Sequence, residues 1–252
     1  MAQRYLEEVS VTKLRIKFAK RGNMKFIGHL DIMRYFQKAM RRADIDIVYT
    51  EGFSPHQKMS FASPLGVGLI SEGEYFDIEV SSSKSSKEMI DVLNTVMADG
   101  MEVLSVKKLP DHAQNGMSLV AAADYKLEFR DGYTPESTLD MDGLAFEKAF
   151  SEFVNRPTIP IVKKTKKGER QLDLKPLIYS AYIKDRSIFL SLSAGSTDNI
   201  KPELVMEAFY HTLGKQPPEF TFQITRLEVY ADMGDGGERK LVPLDKLGQD
   251  IE

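Results

Sequence analysis

The chain contains no cysteine in its 252 residues. That excludes a disulfide framework, a thiolate zinc site and ligation of an iron–sulfur cluster through its own sulfur. No run of eighteen apolar residues occurs, and the opening MAQRYLEEVS lacks the apolar stretch of a secretory signal. Neither a membrane span nor export is therefore expected, and the cytoplasm is the expected compartment. Histidine is scarce, at four residues, and no two stand at the H-x-x-x-H spacing of a helix-borne metal site, so no metal centre is expected. Gly66 and Gly68 begin what looks like a dinucleotide loop, but the third glycine is missing and the segment leads into a strand, which excludes the Rossmann reading.

Apolar residues make up 42% of the chain, with aromatics spread throughout, enough for two domains of ordinary size. The net charge is only −3, but it is unevenly divided. Residues 13–58 hold eleven Lys and Arg against four Asp and Glu. A second basic run, Lys163, Lys164, Lys166, Lys167 and Arg170, has Glu169 as its one acid. Clusters of this kind attract polyanions through counterion release.

The apolar period switches between two and about 3.6 in a regular order. Leu14, Ile16 and Phe18 alternate as a strand; Ile32, Phe36, Ala39, Met40 and Ala43 recur at helical spacing. Strands are expected near 58–62, at 75–80 and at 101–109, with a helix over 86–98. The order is βαββαβ, that of a ferredoxin-like domain. The second half repeats the pattern: a strand with Tyr125, Leu127 and Phe129, a helix with Phe146, Phe150 and Phe153, strands at 159–163, 177–183 and 188–192, a helix opened by Pro202, and a last strand from Phe220. The expected fold is α+β, two tandem ferredoxin-like units with antiparallel sheets, spanning 10–110 and 124–231, followed by a loosely held tail at 232–252 rich in glycine and charge.

Residues 26–74 concentrate the functional candidates. Gly28-His29-Leu30-Asp31 opens a helix whose outer face carries Arg34, Lys38 and Arg41, and the loop Gly52-Phe53-Ser54-Pro55-His56-Gln57-Lys58 joins a rigid turn to a histidine and a lysine. Arg34, Lys38, Arg41, Lys163, Lys164, Lys166, Lys167 and Arg170 are expected on RNA or phosphate, with Phe53 and Lys58 lining the specific site. His29 and His56 are candidates for an acid and base pair. His29, Asp31, His56, Glu72 and Glu74 suit a divalent ion by donor type, yet no fixed ligand frame joins them. The first sheet offers no base-stacking aromatics: its outward positions read Lys13, Arg15 and Lys17 beside Tyr75, Asp77 and Glu79, which suits cross-strand ion pairing.

The wording FIGHLDIMRYFQKAMRRA, the loop at 52–58, Ser63-Pro64-Leu65-Gly66-Val67-Gly68, Ser71-Glu72-Gly73-Glu74 and the later stretch at 171–178 resemble a bacterial family of radical-SAM-associated proteins. Two positions depart from that pattern: Lys175 stands where an arginine precedes proline, and Gly66 where the earlier loop has proline. A lysine there lacks the bidentate fork of arginine. The resemblance implies a radical-SAM enzyme as partner, which would hold the S-adenosylmethionine and the iron–sulfur cluster, with no cofactor intrinsic to this chain. Three functions are open at this point: an RNA-binding accessory that presents substrate to that enzyme, a metal-independent ribonuclease or phosphate-chemistry enzyme using His29 and His56, and a structural adaptor without RNA. Tandem ferredoxin-like units also resemble CRISPR repeat-processing endoribonucleases in architecture, an analogy of fold alone.

Overall fold

The computed structural model describes residues 11–165, 168–196, 198–235 and 237–252. The chain divides into two compact units: residues up to Val67 with Glu74–Leu119 and Val242–Glu252 form the first, and Gly68–Gly73 with Val120–Leu241 the second. Each is a mixed α and β unit built on a mainly antiparallel sheet.

In the first unit the order is β1 (Thr12–Lys20), α1 (His29–Arg42), β2 (Met59–Phe61), β3 (Ile70–Val80), α2 (Ser86–Thr95), β4 (Met101–Lys108) and the short α3 (Gly116–Leu119). The strands lie in the order β4, β1, β3, with β2 antiparallel to the C-terminal half of β3. Even-numbered positions of β1 and β3 face the helices, so Leu14, Ile16 and Phe18 meet Phe76, Ile78 and Val80 in the core. α1 forms because its apolar residues fall on one stripe: Ile32, Phe36, Ala39 and Met40 are buried. Phe18, Phe36, Phe61 and Phe76 make the centre, with the Phe36 and Phe76 rings 4.6 Å apart. α2 begins on a capping box, the Ser85 hydroxyl and Glu88 side chain each bonding the other residue's backbone N–H.

The opposite face of this sheet is not open. Arg15, 0% exposed, makes a bidentate pair with Asp77, 3% exposed, at 2.8 and 2.9 Å. The Gly116 N–H donates to the same carboxylate, and Arg15 donates to the carbonyls of Gln114 and Leu244. Cross-strand ion pairing was expected here, and it occurs, but under a cover formed by residues 110–119 and 242–252. The tail expected at 232–252 is corrected accordingly. Asp232 ends a strand, Leu244 is fully buried, and Gln249 pairs with Lys108 of β4. Its apolar residues Leu244 and Ile251 outweigh the glycine and charge that suggested a loose segment.

The second unit contains β5 (Val120–Phe129), α4 (Pro135–Leu139), α5 (Gly143–Val154), β6 (Pro160–Thr165), β7 (Gly168–Asp173), β8 (Ile178–Lys184), β9 (Ser187–Ser193), α6 (Pro202–Thr212) and β10 (Phe222–Asp232). Its sheet runs β10, β5, β9, β8, all antiparallel, and Ile70 and Ser71 add a short parallel pairing beside β10. Phe146, Phe150 and Phe153 of α5 pack with Phe209 of α6. The strand expected at 159–163 forms, but it pairs with β7 in a separate two-stranded hairpin rather than joining the sheet. Its apolar residues Ile161 and Val162 border a groove against α6.

Candidate functional site

α1 buries one face and leaves Arg34, Lys38, Arg41 and Arg42 exposed on the other. Their charges are not equally available. Arg34 donates to Asp31 at 3.2 Å one turn earlier, and Arg42 donates to the Val96 carbonyl at 2.9 Å. Lys38 and Arg41 have no acidic partner among the described residues.

The loop after α1 is closed by its own side chains. Thr50 N–H donates to the His56 carbonyl, the His56 N–H donates to the Thr50 hydroxyl, and that hydroxyl lies 3.0 Å from His56 Nδ1. His56 thus holds a turn, with Gly52 supplying a positive φ of 106°. Phe53 at its tip is fully exposed. Gln57, 5% exposed, anchors the loop: its Nε2 donates to the Gln37 carbonyl of α1 at 3.2 Å and to the Tyr49 hydroxyl at 3.3 Å. Gln37 stands between Arg34, three residues before it, and Arg41, four after, so the anchor sets the loop beside the cationic face. Lys58, expected to face a ligand, is half-buried and paired with Glu79 at 2.7 Å.

His29 lies in different surroundings. It lines a small cavity with Lys20, Ser63 and Glu74 over an apolar floor of Phe18 and Phe61, its ring edge-on to Phe61 at 5.3 Å. His56 does not line this cavity. Lys20 is 2% exposed and Glu74 4%, and Lys20 Nζ donates to the Ile27 carbonyl. Buried charges of opposite sign are tolerated when each has partners, which suits a structural role. Lys20 was missed from sequence. Its signal was parity: Lys20 continues the inward row of Leu14, Ile16 and Phe18, just as Glu74 precedes the inward row of Phe76 and Ile78. Asp31 is exposed, and no group of three or more potential metal ligands occurs among the described residues.

In the second unit, Lys163 and Lys164 lie on β6 and Arg170 on β7, where Lys163 pairs in register with Arg170 and Lys164 with Glu169. Lys166 and Lys167 lie outside the described residues, as do the side chains of Lys163, Lys164 and Arg170. The hairpin borders a groove of about 570 Å³ against α6, lined by Ile159, Ile161, Leu204 and Ala208 with Arg156 and His211 among its polar residues. On the sheet, the Tyr230 hydroxyl donates to Asp124 at 2.8 Å; burial first, then that carboxylate, push its phenol pKa well above the usual range. Burial does the same to Tyr210, opposed in part by its bond to Thr138.

A family model described as an uncharacterised protein conserved in bacteria, DUF2344, matches residues 13–202. The chain belongs to this family. The match runs from β1 to the start of α6, so the DUF2344 region takes in α1, the loop at 52–58, the cavity at His29 and the basic hairpin. No curated protein matches the chain. No helix among the described residues is long and apolar enough to cross a membrane.

Proposed function

We propose that this chain is an RNA-binding accessory that presents single-stranded RNA to a radical-SAM enzyme, with the outer face of α1 and the neighbouring loop as its first binding surface. The observation that carries the RNA reading is the Gln57 anchor, which ties the loop bearing exposed Phe53 to α1, the helix that bears exposed Lys38 and Arg41. An exposed ring on a loop tied to a helix whose Lys38 and Arg41 have no acidic partner among the described residues fits the two needs of single-stranded nucleic acid: a stacking surface for a base and a positive track for the backbone. The radical-SAM partner rests on the resemblance of the sequence wording, and S-adenosylmethionine with its iron–sulfur cluster would reside on that enzyme. We also read each unit as ferredoxin-like. The support is the strand order, β4, β1, β3, β2 in one and β10, β5, β9, β8 in the other, with two helices in the expected crossovers.

The paired-histidine enzyme gains no support from the geometry, because His56 is engaged with Thr50 and His29 lines a cavity that His56 does not reach. RNA binding is tested by fluorescence anisotropy of a labelled single strand with Lys38→Glu, Arg41→Glu and Phe53→Ala. Each is expected to weaken binding while leaving the melting temperature unchanged, since all three side chains are exposed. Equal affinity in all three variants would contradict the proposal. Pull-down from native cells, with identification of the captured proteins, tests the partner.

A further inference from the structure

On the second unit, Ile188, Leu190 and Leu192 of β9 are buried, so Phe189 and Ser191 between them face the other side of the sheet. In register across that face stand Tyr182 of β8, Phe189 of β9 and Lys126 of β5. The Tyr182 and Phe189 rings are stacked, 5.2 Å apart and 11° from parallel, and Tyr182 is 50% exposed. The next row holds Ser180, Ser191 and Asp124, and Lys184 follows Tyr182 on the same face. Lys126 is paired with Glu128 at 2.7 Å, while Lys184, two residues beyond Tyr182 on β8, is exposed.

We propose that this face is a base-stacking platform: an unpaired nucleobase stacks on the exposed side of Tyr182, extending the stack begun with Phe189, while Lys184 meets the adjoining phosphate. The inference rests on the RNA reading above and adds to it a preference for unpaired bases. The neighbours decide the occupant. A protein hot spot seats its aromatic anchors in a well-packed pocket from which surrounding contacts exclude water. Here the rings stand among hydroxyls and charges on an antiparallel sheet, the setting in which exposed aromatics read single-stranded RNA. The first unit has no such face, because Arg15 and Asp77 are sealed beneath residues 110–119 and 242–252.

The test uses the intact chain and two labelled probes, a short mixed-sequence single-stranded RNA and an abasic ribose-phosphate oligomer of the same length. Tyr182→Ala is expected to lower affinity for the base-bearing strand on the order of ten- to a hundredfold, the range of one base–aromatic stack, and to leave the abasic oligomer unaffected. Tyr182→Phe should restore binding, and Phe189→Leu should give an intermediate loss. If Tyr182→Ala changes both probes equally, or neither, the platform is overturned while RNA binding through α1 stands. If the wild-type chain binds neither probe, the RNA reading fails and takes the platform with it. A protein captured through Tyr182 in place of RNA also overturns it.

Discussion

Asp77 is the residue on which most depends in the first unit, since one buried carboxylate answers both the Arg15 guanidinium and the Gly116 N–H. Asp77→Ala should cost about 3–5 kcal/mol in urea unfolding, because it strands a buried guanidinium. The exposed pair of Asp31 and Arg34 sets the contrast: Arg34→Ala should cost less than about 1 kcal/mol. At the helix cap, hydrogen bonds from the Ser85 side chain and then the Ser85 backbone hold the Glu88 carboxyl below its ordinary value. A depressed folded pKa stabilises above the unfolded pKa, and that contribution is lost as pH falls through the folded one. Glu88→Gln should therefore flatten the acid side of the stability profile within that window, as read from melting temperature against pH. The pairing of Lys13, Arg15 and Lys17 opposite Tyr75, Asp77 and Glu79 was visible from alternation. Its burial was not, because the cover comes from residues 110–119 and from Leu244, the latter more than two hundred residues beyond Arg15, and alternation carries no information about such distant segments.

Among elements, α1 was the most legible, because its stripe of Ile32, Phe36, Ala39 and Met40 is strictly helical and all four are buried. The loop after it was legible only as a turn. Sequence gave no sign that His56 would close that turn on Thr50, that Lys58 would pair with Glu79, or that Gln57 would bind the Gln37 carbonyl. Those are contacts between side chains and groups on other elements, which periodicity does not encode. Gln57→Leu should release the loop from α1 and cost about 1–3 kcal/mol through the lost bonds. In amide exchange, the loop amides that bond across it, those of Thr50 and His56, should lose protection while the α1 core amides keep theirs. The hairpin of β6 and β7 shows another limit. Its first strand was expected at 159–163 as part of the sheet, and apolar alternation cannot tell a strand of the main sheet from one of a separate hairpin.

For the whole molecule, the order of strands and helices led to an expectation of units at 10–110 and 124–231, and the two compact units have other bounds. The last residues return to the first unit, and Gly68–Gly73 belong to the second. Leu244→Ala removes a fully buried side chain and should cost about 2–5 kcal/mol. Exchange should rise in β1 and β4, with β5 and β9 unchanged. The RNA reading is tested most directly by the salt dependence of affinity for a single-stranded RNA, compared between the wild-type chain and an Arg34→Glu, Lys38→Glu, Arg41→Glu triple variant. Binding should weaken with a log–log slope of about 0.7 per phosphate neutralised, and the variant should bind more weakly with a shallower slope. Identical slopes for the two proteins, or affinity independent of salt, would contradict it.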